Sequence, residues 1–141
     1  MLIRIILGSI SIFVGGTIYI LWREPILHMF NWLDIIGLHS IFLLLRDWAS
    51  NIYIPPDWLL YSLPTALWTF GGLLLFQAIW RDSNRINLYW LIIFCCIALG
   101  IEFSQKLDLI PGTFDINDLI LSSFAIIASF TLYVLPRWRR L

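Results

Sequence analysis

Charged side chains are scarce in this sequence. Asp, Glu, Lys and Arg make up only 13% of its 141 residues, whereas apolar residues make up 60%. A water-soluble domain is usually about 25% charged and about 45–50% apolar. The shortage of charge therefore excludes an ordinary soluble domain and indicates an integral membrane protein. The 9 basic residues balance the 9 acidic ones, so no positive excess points to nucleic acid as a partner.

Cysteine and histidine are also rare. The 2 cysteines, Cys95 and Cys96, are adjacent inside an apolar run, and adjacent cysteines are poor disulfide partners. The 2 histidines, His28 and His39, do not have the spacing of metal ligands. The sequence also lacks a nucleophile motif, a phosphate-binding loop and an internal repeat. These absences favour a protein without a metal or a cofactor, and we assign no catalytic residue.

Long apolar runs are what the sequence has instead. A helix needs about 20 apolar residues, at about 1.5 Å each, to cross about 30 Å of hydrocarbon. Four runs are predicted to do so, at residues 5–22, 58–80, 88–104 and 118–135. Pro64 should kink the second run, because its ring clashes with the preceding turn and it has no N–H to bond to the carbonyl about four residues earlier. Gly71 and Gly72 should allow a neighbouring helix to come close, and Pro136 should stop the last run.

A fifth segment, at about 33–45, has a shorter apolar core and precedes a polar connection at 47–56. A core of about 11 residues lies below the usual spanning range of about 17–25, which suits an interfacial or re-entrant amphipathic helix. The predicted fold class is thus an all-α membrane protein with four transmembrane helices plus this helix. Residues 1–141 form a single integral membrane domain, and the first span is expected to be retained rather than cleaved.

Basic residues set the predicted orientation. If the chain crosses the membrane four times, six arginines lie on one side and three basic residues lie on the other. The first group is Arg4, Arg81, Arg85, Arg137, Arg139 and Arg140, and the second is Arg23, Arg46 and Lys106. Positive residues are enriched on the cytoplasmic side. We therefore predict that both termini are cytoplasmic.

Four polar residues around the turn between the third and fourth spans are the candidate site: Glu102, Gln105, Asp115 and Asp118. A carboxylate in an apolar helix costs about 2.5–3.5 kcal/mol in lipid. It therefore needs a partner, a water-filled cleft or a position at the membrane edge. Glu102 and Gln105 are three residues apart and so share one helix face. The predicted orientation places all four residues on the outer side.

Three interpretations of these residues stay open. In the first they are structural: Asp115 caps the last helix, and Asp118 is its capping-box partner. In the second they line a polar pocket for a lipid head group or another small ligand. In the third they are catalytic or bind Mg²⁺ or Ca²⁺, with Glu102 acting as a general base.

The residues around this turn also form a wider pattern. A helix ends in Glu102-Phe103-Ser104-Gln105, a loop runs from Pro111 to Asn117, and Asp118-Leu119 opens the last helix. By this pattern, and by the segment Leu63 to Trp68 in the preceding span, the chain resembles the VanZ-like family of small membrane proteins. The resemblance covers about residues 57–135.

The chain departs from that family in the loop and in the last helix. An arginine common in the family's loop is absent, and Gly112 or Thr113 stands in its place. Lys106 is the residue that could substitute for it. The usual asparagine and glycine of the last helix are replaced by Ser122 and Ala125. The missing arginine removes the expected salt-bridge partner of Glu102 or Asp118.

The resemblance implies a protein of the bacterial envelope, in the cytoplasmic membrane, and does not by itself imply an enzyme. The function we predict is the binding of a lipid-linked or amphiphilic ligand near the outer interface, with membrane lipids as partners. The alternative is a small accessory or scaffold subunit that contacts other integral membrane proteins.

Overall fold

The computed structural model describes residues 1–23, 35–80 and 84–138. These residues contain no strand, and their helices are α1 (Leu2–Trp22), α2 (His39–Ile52), α3 (Leu63–Ile79), α4 (Asn84–Lys106) and α5 (Ile116–Trp138). A π-helical turn, Trp58–Ser62, leads directly into α3. The predicted all-α class is therefore confirmed.

Among the described residues, four segments are long and apolar enough to cross a membrane: Leu2–Trp22, Trp58–Ile79, Arg85–Lys106 and Ile116–Val134. This confirms four helices of spanning length in residues 1–23, 35–80 and 84–138, and each overlaps one of the predicted runs. The prediction that Pro136 stops the last helix is wrong, because α5 continues to Trp138.

The helix α2 differs in its bounds from the segment predicted at 33–45. It begins at His39 and ends at Ile52, so it includes part of the predicted polar connection. Residues 33 and 34 lie outside the described part of the chain. With 14 residues, α2 is about 21 Å long, which is too short to cross about 30 Å of hydrocarbon. Its position at the membrane interface stays a prediction.

The helix α3 lies at the centre of the bundle. It packs against α1, α4 and α5, and it contains the fully buried Leu73 and Leu74. In the span that includes α3, 39% of an 18-residue apolar stretch is buried inside the protein, compared with 11% of such a stretch in each of the other three spans. The outer helices therefore turn most of their apolar surface away from the protein, as helices in contact with lipid would do.

The backbones of α1 and α3 touch at glycines. A Cβ added to Gly71 would lie 2.7 Å from the carbonyl oxygen of Gly8 and 2.7 Å from Cγ1 of Ile12. Gly15 makes room for the indole of Trp68, whose Nε1 donates a hydrogen bond to the Ile12 carbonyl at 3.3 Å. The predicted close approach of a helix at Gly71 is thus confirmed, and the neighbour is α1 of the same chain.

Aromatic side chains join α3 to α4. The ring of Phe94 lies against Gly72, where an added Cβ would be 2.7 Å from the ring. Phe76 stacks on Trp90 with the ring centroids 4.0 Å apart. The second glycine of the predicted pair therefore also faces a neighbouring helix.

Pro64 is preceded by the π-helical turn. The Leu63 N–H donates to the carbonyl of Trp58, five residues earlier rather than four. Proline has no N–H and its ring crowds the preceding turn, so a wider turn relieves the clash. The distortion predicted at Pro64 thus takes the form of a π turn at the start of the span.

A second proline, Pro136, cannot donate to the carbonyl of Leu132 within α5. The guanidinium of Arg4 donates to this carbonyl at 3.1 Å and to the carbonyl of Tyr133 at 3.5 Å. It also lies 5.4 Å from the centroid of the Tyr133 ring. A carbonyl without a donor is costly in lipid, so Arg4 both satisfies α5 and ties it to α1.

We expect Arg4→Met to lower the free energy of unfolding by about 1–3 kcal/mol, because the Leu132 carbonyl loses its donor. In a Pro136→Ala background, residue 136 regains an N–H that can bond to Leu132. The same Arg4 substitution should then cost at least about 0.5 kcal/mol less. Unfolding in mixed detergent and dodecyl sulfate measures both values, and Arg85→Met is the control at an exposed position. Equal losses of unfolding free energy in the two backgrounds would show that Arg4 is not the donor that compensates for Pro136 at the Leu132 carbonyl.

The contacts between helices show which helix termini lie together at each of the two ends of the bundle. At the first end, called the Arg4 end, Asn87 Nδ2 donates to the carbonyl of Trp80 at 2.7 Å and to the hydroxyl of Tyr133 at 3.4 Å. At the second end, called the Glu102 end, α1 finishes against the π turn and α4 finishes against the start of α5. Successive spans therefore run in opposite directions. Which end is cytoplasmic stays a prediction.

Candidate functional site

The candidate site lies where α4 ends and α5 begins. Glu102, on the last turns of α4, is only 5% exposed. Its Oε2 accepts a hydrogen bond from the backbone N–H of Asp115 at 3.5 Å. Asp118 lies near the carboxyl group of Glu102, close enough for the two carboxyl groups to interact electrostatically. The structure therefore brings together three of the four residues predicted from the sequence.

Asp115 is the N-cap of α5. Its Oδ1 accepts a hydrogen bond from the N–H of Asn117 at 2.8 Å, and the helix begins at Ile116. This confirms the predicted N-cap. The predicted capping box is wrong, because in a box the Asp118 side chain would accept the Asp115 N–H. Glu102 accepts that N–H instead, since packing of α4 against α5 brings its carboxylate to the helix terminus.

Gln105 lies beside the loop between the two helices. A Cβ added to Gly112 would be 2.3 Å from its Nε2 and 2.8 Å from its Cδ. Gly112 also has a φ of +136°, which residues with a side chain rarely adopt. The Gln105 amide therefore packs directly on the Gly112 backbone, and Gln105 contacts the loop between α4 and α5.

The loop starts with a tight reversal at the end of α4. Asp108 has a φ of 54°, the Leu109 N–H donates to the Ser104 carbonyl at 2.9 Å, and the Asp108 N–H donates to the Gln105 carbonyl at 3.1 Å. These bonds form a Schellman motif, in which Asp108 stands where glycine is more usual. The reversal directs the chain back so that Asp115 meets Glu102.

Lys106 does not take the place of the family's loop arginine. Its Nζ lies 5.1 Å from the centroid of the Phe114 ring, and the side chain is exposed. Within the described part of the chain, neither Glu102 nor Asp118 forms an ion pair. The carboxyl pair is thus placed at the end of the bundle without a cationic partner of its own.

One oxygen of this pair has no partner. Asp118 Oδ1 is buried and receives no hydrogen bond from the described residues. Two neighbouring carboxyl groups repel each other unless a proton or a cationic group lies between them. A buried acceptor without a donor adds about 1–3 kcal/mol of unfavourable free energy. The arrangement can therefore bind a cationic group or a group rich in N–H and O–H donors.

Metal binding has less support. No three His, Cys, Asp or Glu side chains in the described ranges come together closely enough to hold a metal ion. Glu102 and Asp118 are neighbouring carboxyl groups, while Asp115 Oδ1 accepts the hydrogen bond from the Asn117 N–H. A ligand such as Mg²⁺ or Ca²⁺ usually takes about six or more oxygens.

Other polar residues lie inside the bundle, and the sequence reasoning did not single them out. Gln77 and Asn87 are each 4% exposed and Ser62 is 0% exposed, yet each has a side-chain oxygen without a partner in the described structure. Gln77 Nε2 donates to the Ser129 carbonyl at 3.4 Å and so links α3 to α5. The signal that could have found Gln77 is an amide within an apolar run. Internal water is the usual partner of such atoms.

An apolar groove of about 250 Å³ lies on α5, lined by Leu119, Ile120, Ser123, Phe124 and Ile127. Asp118 lies on the face of α5 that also carries the buried Ser122 and Ser129. At 3.6 residues per turn, the groove is on the opposite face. The groove is therefore not part of the site, although it begins one residue after Asp118.

No protein-family model, curated protein or solved structure matches this chain. The resemblance to the VanZ-like family over about residues 57–135 therefore stays a prediction from the sequence.

Proposed function

We propose that this chain is a VanZ-like membrane protein of the bacterial envelope that binds a lipid-linked or amphiphilic ligand without catalysing a reaction. The ligand's cationic or donor-rich head would lie at the Glu102 end, against Glu102 and Asp118. The observation that carries the proposal is the buried Asp118 Oδ1, which has no hydrogen-bond donor among the described residues and lies near the carboxyl group of Glu102. Asp115 and Gln105 would support the site by fixing the helix terminus and the loop.

The charge of the site favours one class of head group. A phosphate or carboxylate would be repelled by two neighbouring carboxyl groups, whereas an amine or an amide would supply the missing hydrogen. An ammonium group placed between the carboxyl groups would offset both the repulsion and the unpartnered oxygen. We therefore assign the site to an amphiphile with an amine or amide head.

Glu102→Gln tests the proposal with little change of shape. The glutamine keeps an oxygen that can accept the Asp115 N–H, and its amide can donate to Asp118. It therefore supplies internally the donor that the ligand would bring, and removes one negative charge. We expect the variant to fold normally and to lose the bound amphiphile, measured by mass spectrometry of the protein extracted in mild detergent.

Asp108→Asn is the matched control. It removes one acidic charge at the same end of the bundle, and asparagine tolerates the positive φ of residue 108. This variant should keep the amphiphile. If Glu102→Gln retains as much bound amphiphile as the wild-type protein, the proposed site is wrong.

The second candidate function is that of an accessory subunit in a membrane complex. It is favoured by Gly16 and Gly100, because a Cβ added to either would meet nothing within 4 Å. Small residues on an outer helix surface allow another helix to pack closely. The same extraction separates the two functions, since a subunit would carry other membrane proteins in a fixed ratio and a ligand-binding protein would not.

A further inference from the structure

A second polar cluster lies at the Glu102 end, where α1 stops. Arg23 follows the last residue of α1, and its N–H donates to the Tyr19 carbonyl at 3.1 Å. Its guanidinium carbon lies 4.3 Å from the centroid of the Tyr61 ring and 5.6 Å from that of the Tyr19 ring. We call Arg23, Tyr19 and Tyr61 the Arg23 cluster. The π turn that contains Tyr61 therefore helps to hold this arginine against the end of α1.

The Arg23 guanidinium has an unused donor. Its Nη1 is buried and has no hydrogen-bond acceptor among the described residues. The tyrosine rings attract the positive charge through their faces. The ring faces do not accept hydrogen bonds from the N–H groups in the guanidinium plane, so the Nη1 donor stays without an acceptor among the described residues.

A second arginine, Arg46, is bonded to the same end of α1. Arg46 of α2 donates to the backbone carbonyl of Arg23 and, at 2.5 Å, to that of Ile20. Arg46 is thus fixed beside the Arg23 cluster by the end of α1.

We infer that the Arg23 cluster binds a phosphate group, presented by the head group of a membrane lipid. A guanidinium fork matches two phosphate oxygens and binds them more strongly than a neutral donor does. The cluster lies at the end of a segment of spanning length, beside Trp22 and the exposed Trp58 and Tyr61, which are residues typical of the lipid head-group region. This site goes beyond the proposed function, because it takes an anion and is built from α1 and the π turn.

The test is a lipid titration of the purified full chain in mild detergent, followed by native mass spectrometry. The probes are phosphatidylglycerol and diacylglycerol with the same acyl chains, so that they differ only in the phosphate-containing head. We expect one equivalent of phosphatidylglycerol to bind at least about tenfold more tightly than diacylglycerol. The Arg23→Gln substitution should weaken the binding of phosphatidylglycerol by about tenfold or more. Arg85→Gln, at an exposed position at the Arg4 end, should leave binding unchanged.

Inorganic phosphate distinguishes the two sources of the group. Displacement of the lipid by inorganic phosphate would assign the site to the free ion, and retention of the lipid would assign it to the head group; either result supports a phosphate site. Equal affinity of Arg23→Gln and the wild-type protein for phosphatidylglycerol would overturn it, as would equal binding of diacylglycerol. Arg23→Lys keeps the charge but loses the fork, so it should bind with intermediate affinity. If Arg23→Gln does not fold, wild-type affinity in Arg23→Lys overturns the inference.

Discussion

Gly71→Leu is expected to prevent α1 from packing against α3. The first added atom would lie 2.7 Å from the Gly8 carbonyl oxygen and 2.7 Å from Ile12 Cγ1, and 3.3 Å from the Ile12 backbone nitrogen. Two of these three contacts are with backbone, which cannot rotate away as a side chain can. The two helices would have to separate along their contact. Adding atoms to a filled contact costs about 1–3 kcal/mol, and leucine adds enough of them to reach the upper end of this range.

The free energy of unfolding in mixed detergent and dodecyl sulfate measures this effect. Gly16→Leu is the matched control, because it makes the same change on α1 at a position where an added Cβ meets nothing within 4 Å. Its stability should stay within about 0.5 kcal/mol of the wild-type value. Similar losses in the two variants would contradict the packing of α1 on Gly71. Because Gly71 faces α1 of the same chain, this substitution cannot serve as a test for an external partner.

Arg46→Gln is expected to release α2 from the end of α1. The arginine donates to the carbonyls of Ile20 and Arg23, which lie in and just after the last turn of α1. These carbonyls have no partner within the helix, and a cation also suits the negative end of its dipole. Each hydrogen bond from a charged donor is worth about 1.5–3 kcal/mol. The bond from Trp22 Nε1 to the Tyr53 carbonyl at 3.0 Å would then have to hold α2 with less support.

Cysteine labelling reads out this release. Ala49 is 2% exposed, so a cysteine at that position should be protected in the otherwise wild-type protein and should react in the Arg46→Gln variant. Cys95 and Cys96 are first replaced by serine, because both are free thiols. Trp48→Cys, at an exposed position, should react in both proteins. Protection of residue 49 that does not change with Arg46→Gln would show that the arginine does not hold α2.

Labelling at residue 49 does not report where α2 lies relative to a membrane. Protection there reports burial of Ala49 within the protein, so it does not measure depth in a membrane. The exposed Trp48 is the better position for deciding whether α2 lies at the interface. That question is separate from the bounds of α2, which the structure gives as His39–Ile52.

The sequence by itself determined the features that depend on a few neighbouring residues. Long apolar runs specify helices of spanning length, because each backbone group can bond within the same helix. Asp115 is read correctly as an N-cap, since its bond to the Asn117 N–H reaches only two residues along the chain. Gly71 is read correctly as a point of close approach, because a glycine pair in an apolar helix leaves room for another backbone.

Only the tertiary structure decided which distant groups satisfy these helices. The Asp115 N–H donates to Glu102, whereas in a local capping box it would donate to Asp118. The reason is that α4 packs against α5 and so places a carboxylate from another helix beside this N–H. The last helix continues past Pro136, where Arg4 of α1 supplies a donor for the freed carbonyl. The length of an apolar run and the capping of a helix are local properties. Hydrogen bonds between helices depend on which faces pack together, and the spacing of residues along one chain segment does not contain that information.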